Sequence, residues 1–128
     1  MKKKLLIVCF FVIISTVLIY NYVYKSHRDI SNEKESFAIS VIDLKNDYRK
    51  NDSLANAKYL DKTIVIYGKI TSLDLANRLL SVDTSLSAIL KESGVSLNLN
   101  DSIKLKGRFI GYDDLLEEFK MDECSVIR

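Results

Sequence analysis

The chain has 128 residues, a formal net charge of +2, 48% hydrophobic residues, no proline and two cysteines. That length suits one small domain with a modest core, and two cysteines exclude a disulfide-built scaffold. The positive balance invites a nucleic-acid reading, but Lys2, Lys3 and Lys4 carry it: 19 basic residues less these three leave 16 against 17 acidic ones, so the part after Tyr24 sums to −1.

Leu5 to Tyr24 is a run of mostly apolar residues interrupted only by Ser15, Thr16 and Asn21, with no charge. A bilayer core of about 30 Å needs roughly 20 helical residues to cross it. Tyr20, Tyr22 and Tyr24 gather at the distal end, where amphipathic rings suit the interface, and the lysines before the run favour a cytoplasmic N-terminus. The favoured reading is an uncleaved single-pass anchor in the cell membrane that puts the remainder outside the cytoplasm. A cleaved signal peptide is the alternative, but residues 20–26 offer no small-x-small site. Cys9 is a poor lipidation cysteine, since valine precedes it.

The regions expected are 1–4 as a basic cytoplasmic N-terminus, 5–24 as the anchor, 25–36 as a polar juxtamembrane stalk, 37–60 as a helical segment and 61–128 as a β barrel. Phe37, Val41, Leu44 and Tyr48 recur at helical spacing, with Ser36 as a plausible N-cap and Arg49 and Lys50 at the C-terminal end. Asn51-Asp52-Ser53 breaks this helix and can cap a second one through Leu54, Ala57 and Leu60. From Lys62 the period becomes two: Ile64, Ile66 and Ile70 point inward, and Thr63, Val65, Tyr67, Lys69 and Thr71 outward. Gly68 interrupts the inward row, as glycine does at a bend or close approach. Asn77 turns the chain into a strand over residues 78–84, and residues 86–91 form a third. Residues 92–101 connect to a fourth strand over 102–110, with Ile103, Leu105 and Phe109 inward, Lys104, Lys106 and Arg108 outward, and Gly107 in the inward row. Residues 115–119 and 124–127 finish the sheet as a strand pair or one broken strand. Five or six short strands, two kinked at glycine, predict an all-β core in a five-stranded barrel, preceded by one or two short helices and the transmembrane helix.

Ala55-Asn-Ala-Lys-Tyr-Leu-Asp-Lys-Thr-Ile-Val-Ile-Tyr-Gly-Lys-Ile70, then Leu99-Asn-Asp-Ser-Ile-Lys-Leu-Lys-Gly-Arg108, then Asp122-Glu-Cys-Ser-Val-Ile127, resembles the tRNA_anti-like family over roughly residues 40–128. The resemblance implies a small bacterial OB-fold barrel, frequently exported. It transfers no settled function, and the family name does not establish RNA binding. The long anchor without a lipobox departs from relatives that look like lipoproteins.

No catalytic set emerges. His27, the one histidine, sits in the stalk without a cysteine or carboxylate at ligand spacing. Four glycines form no phosphate loop. Asp113, Asp114, Glu117 and Glu118 read as a solvated acidic cluster rather than a cation site. Cys124 reads as a buried small hydrophobe, with a reactive thiol as the alternative. Two sequons, at Asn51 and Asn100, are expected by chance in an Asn/Ser-rich chain. We expect no enzyme activity, cofactor or metal.

The best candidate surface is the outward row Tyr67, Lys69, Lys104, Lys106 and Arg108. OB barrels bind extended ligands across strand faces, with aromatic platforms and basic side chains. An ordinary lysine-rich surface is the competing reading, and the pattern alone does not say whether both strands present these residues on one surface. The function expected is a membrane-anchored extracytoplasmic binding module for a protein, peptide or envelope component; the alternative is a single-stranded nucleic-acid binder.

Overall fold

The computed structural model describes residues 1–24 and 28–127; His27 and the first part of the expected stalk lie outside the described residues. Helix α1 (Lys2–Val23) has a mean hydropathy of 2.4, no buried residue, and the length to cross a membrane. Strand β1 (Phe37–Ser40), helices α2 (Val41–Lys50) and α3 (Asp52–Tyr59), and strands β2 (Thr63–Asp74), β3 (Leu79–Val82), β4 (Leu86–Leu90), β5 (Ser102–Asp113) and β6 (Glu118–Ile127) follow.

The strand order is β1-β2-β3-β4-β6-β5, and β5 returns to pair with β2. Strands β2 to β6 therefore close into the expected five-stranded OB-type barrel, with β1 as an added strand. Closure follows from β2: Thr63 to Lys69 pair antiparallel with β5, and Ile70 to Asp74 with β3. Along its first half β2 also carries β1, in parallel, from Phe37↔Ile64 to Ser40↔Tyr67.

This corrects the expected helix start. Phe37 belongs to β1, and the helix begins at Val41, where the Ser40 side chain accepts the Asp43 N–H at 3.1 Å. Phe37 is turned towards the core by strand pairing, and its ring meets Tyr59 edge-on at 5.2 Å. The second helix is capped by the Asn51 side chain, which accepts from Leu54 N–H. Its buried residues are Ala55 and Tyr59, whereas Leu54 and Leu60 are exposed. Tyr59 fixes that face: its ring packs against Phe37 and Phe109, and its hydroxyl donates to Asp47 of α2 at 2.5 Å.

Ile64, Ile66, Ile70, Ile103, Leu105 and Phe109 line the barrel interior as their alternation requires. Val41, Leu44, Ala55 and Tyr59 join the same core, so the two helices close one end of the barrel. Full burial of a side chain such as Phe109 or Tyr59 contributes roughly 1.5–3 kcal/mol. Residues 115–117 do not form a strand: they make the turn of the β5–β6 hairpin, with Leu115 and Leu116 exposed, and β6 then runs unbroken between β4 and β5.

Both inward glycines are explained by close approach. A Cβ at Gly107 would lie 2.5 Å from Cys124 Sγ and 2.9 Å from the Asp122 carbonyl oxygen. One at Gly68 would meet Asp83 Oδ2 at 2.5 Å and Val82 Cγ1 at 2.6 Å. Cys124 is buried, and burial pushes its thiol pKa well above the ordinary value.

Gly107→Ala should therefore destabilise the chain by about 1–3 kcal/mol through overpacking, read as a lower thermal midpoint. A Tm equal to that of the parent would overturn this account. In a Cys9→Ser background, Cys124 should resist maleimide until the protein unfolds; labelling at the rate of a free thiol in the folded state would show it to be accessible.

Candidate functional site

The register settles the question left by the sequence pattern. Thr63↔Arg108, Val65↔Lys106, Tyr67↔Lys104 and Lys69↔Ser102 are cross-strand pairs on the outer face of β2 and β5. All five candidate residues thus share one surface, but their surroundings divide them in two.

Residues 28–36 cross the Thr63–Lys106 half of this face as a strap. Arg28 grips both Glu33 carboxylate oxygens, at 2.7 and 2.6 Å, and donates to the Asp61 carbonyl at 2.8 Å. Thr63, the one buried polar residue among those described, donates its hydroxyl to Glu33. Ser36 N–H bonds the Thr63 carbonyl at 2.8 Å and leads the strap into β1. Ile30 of the strap and outward-pointing Val65 are both buried, yet neither belongs to the barrel core. From Arg28 onward, the residues expected as a juxtamembrane stalk pack against the barrel.

The strap occupies Lys106, which donates to the Ser31 carbonyl at 3.3 Å and lies 3.8 Å from Glu35. Arg108 is held by a two-pronged pair with Asp122, at 2.9 and 2.5 Å. Asp122 was not among the candidate residues, because the register shift between Lys106 and Arg108 decides which β6 side chain faces Arg108.

Tyr67, Lys69 and Lys104 remain open. They border a groove of about 770 Å³ with an apolar side formed by Leu97, Ile103, Val126 and Ile127. Lys69 and Lys104 make no ion pair among the described residues. Two carboxylates line the same groove, but both serve the backbone: Asp83 accepts the Lys69 N–H at 3.1 Å and Asp101 the Asn98 N–H at 3.2 Å. Ile103 reaches the groove from the inward row of β5, whereas Leu97 comes from the 92–101 connection and Val126 and Ile127 from the end of β6, segments without an outward alternating pattern to announce them.

The face on which OB barrels commonly bind oligonucleotides is that of their second and third strands, here β3 and β4. It presents Leu79, Ser81, Ser87 and Ile89, with neither aromatic ring nor cation. The acidic cluster is also partly engaged: Asp113 pairs with Lys120 at 3.0 Å and accepts the Leu115 and Leu116 N–H groups. No group of three metal-ligating side chains occurs among the described residues.

A closed barrel with an added strand, a helical plug and an amphipathic groove defines a small OB-fold-like protein with a surface site. The chain belongs to the tRNA_anti-like family, whose profile matches residues 1–116. The match takes in the apolar helix and stops before β6. A solved structure from Klebsiella pneumoniae subsp. pneumoniae MGH 78578, described as a "putative nucleic acid-binding lipoprotein", is similar with a TM-score of 0.49 at 14% identity, over 71% of this chain and 91% of that one. No curated protein matches the chain.

The strap is predicted to loosen in acid. Its hydrogen bonds from Arg28 and Thr63 lower the Glu33 carboxyl from about 4.5 to about 2. A depressed carboxyl contributes stability above its unfolded pKa and loses it as pH falls through the folded one. Exchange protection of the Ser36 amide should thus decline from about pH 4.5 towards pH 2. Glu33→Gln should flatten that dependence; an unchanged pH profile in the variant would remove Glu33 from this role.

Proposed function

We propose that the chain is a non-catalytic binding module, anchored through Leu5–Tyr24 and facing out of the cytoplasm, whose groove takes an extended protein segment or another envelope component. The observation that carries this reading is the groove itself: an exposed tyrosine and two lysines without an ion pair among the described residues, set beside the aliphatic side chains of Leu97, Ile103, Val126 and Ile127. Such a mixed surface fits a peptide-like ligand, which offers apolar side chains, carbonyl acceptors and carboxylates together. The anchor reading rests on the length and apolarity of α1 and on the lysines before it.

A single-stranded nucleic acid is the second reading, favoured by Tyr67 lying between Lys69 and Lys104, where a base could stack and phosphates pair. It is the weaker one. Two of the five outward residues are engaged by the strap and by Asp122, and β3 and β4 supply no stacking ring.

Three measurements on the full chain test this. A benzophenone amino acid at position 67 should crosslink in cells to a polypeptide or envelope polymer, well above the yield at position 72 on the same strand. Equal yields would sink the groove reading. In detergent micelles, a single-stranded oligonucleotide should bind no tighter than about 10⁻⁴ M at low salt; tight, salt-sensitive binding lost in Lys69→Ala/Lys104→Ala would transfer the groove to nucleic acid. A phosphatase fused after the last residue should be active only outside the cytoplasm, so an inactive fusion in intact cells would reverse the orientation.

A further inference from the structure

A second cleft, of about 570 Å³, lies between the helical plug and the β5–β6 hairpin and shares no residue with the groove. Its base is aromatic. Tyr48, Tyr112 and Phe119 form a triangle of rings, with Tyr48 and Tyr112 each 5.0 Å from Phe119 and 6.1 Å from one another. Phe119 is buried, whereas Tyr112 is 41% exposed and Tyr48 is half-buried.

Polar groups of both signs surround these rings. Lys45 and Arg49 come from α2, and Asp114 and Glu117 face them from the hairpin turn. None of these four makes an ion pair among the described residues. The Tyr48 hydroxyl donates to Asn56 Oδ1 at 2.7 Å, which leaves the Asn56 amide group as a further donor at the cleft.

This combination selects for ligand chemistry. A compact anion would meet Asp114, Glu117 and Asp52 as well as the two bases, and a compact cation would meet the two bases. An apolar ligand would strand every one of these polar groups without water. A neutral polyhydroxylated ring suits all of them. Its C–H face lies on a tyrosine, and its hydroxyls each donate and accept, so they bond carboxylates and cations alike. Lys45, Tyr48 and Arg49 share one face of α2, Asp52 and Asn56 one face of α3, and both faces line the cleft with the hairpin.

We propose that this cleft is a saccharide-binding site, taking one or two neutral sugar rings of an oligosaccharide, with Tyr112 as the stacking platform and Asp114, Glu117, Arg49 and Asn56 as hydroxyl partners. It is independent of the ligand assigned to the groove.

The test uses the full chain in detergent micelles and three probes: the tetrasaccharides of N-acetylglucosamine, of α-1,4-linked glucose and of β-1,4-linked glucose. Saturation-transfer NMR and calorimetry should detect saturable binding of at least one. Tyr112→Ala should weaken it about tenfold through the lost stacking surface. Because Tyr112 also packs on Phe119, the exposed pair Asp114→Asn/Glu117→Gln provides a second variant and should weaken binding several-fold with an unchanged Tm. Tyr67→Ala, in the separate groove, should leave binding intact, and raising salt should change affinity by less than about twofold, since no phosphate is neutralised. No saturable binding of any probe at about 10 mM, a span typical of very weak sites, would overturn the proposal. So would binding that survives both cleft variants or that disappears in Tyr67→Ala. Either failure leaves the crosslinking result at position 67 untouched.

Discussion

The structure depends on one strand, β2, that changes partners midway along its length. β2 gives its first half to β5 and β1 and its second half to β3, and only this double use closes the barrel. The handover falls at Gly68–Ile70. There the missing Cβ admits Val82 and Asp83, and the Asp83 carboxylate takes the Lys69 N–H while its own N–H bonds the Lys69 carbonyl at 2.9 Å. On the other side of the bend, Ile70 is bonded by the 92–101 connection, through Asp101 O at 3.0 Å and Asn100 N at 2.8 Å. The groove beside Tyr67, Lys69 and Lys104 is a consequence of this bend: a strand that turns away from β5 leaves a hollow, and the connection that satisfies its backbone supplies Leu97 as a wall.

The strap decides which part of the outer face is available. Its ion pairs are largely exposed and contribute little on their own. Burying Ile30 contributes roughly 1.5–3 kcal/mol, so its apolar burial outweighs the salt bridges in holding the strap down. The polar groups act more on register than on energy. Thr63, buried beneath the strap, needs a partner for its hydroxyl, and Glu33 provides one only when the strap lies in this position. Lys106 is thereby committed to structure, as Arg108 is by Asp122, and a row of five similar outward residues becomes two residues that hold the fold and three that face solvent.

The alternating segments were legible from the sequence because a strand with one buried face must alternate. Ile64, Ile66, Leu105 and Phe109 follow from that rule, as do the outward positions of Tyr67 and Lys104. The helix starts later than its pattern suggests because Phe37, in β1, fits the helical period of Val41, Leu44 and Tyr48 by coincidence. The signal that separates the two assignments is local: Ser40 and Asp43 stand three apart, and their reciprocal bonds start the helix after β1. The strap has no periodicity at all, and its fit depends on a surface that exists only once β2 and β5 are paired. The Arg108–Asp122 pair and the aromatic triangle of Tyr48, Tyr112 and Phe119 are equally invisible to pattern. The first needs the β5–β6 register shift, and the second joins a helix to a hairpin more than sixty residues on.

The strap also sets how far the barrel can stand from a bilayer. Twelve residues between Tyr24 and Phe37 would, as a free stalk, reach roughly 40 Å. Arg28 is instead fastened to Glu33 and to the Asp61 carbonyl. Only four peptide links separate it from Tyr24, and they extend to about 14 Å at most. With α1 in the membrane as we propose, the barrel is held against the headgroup region rather than projected from it. A site in that layer meets ligands that are themselves attached to the membrane or the adjacent envelope at high effective concentration. Weak individual contacts suffice there, which is consistent with an open groove whose two lysines make no ion pair among the described residues.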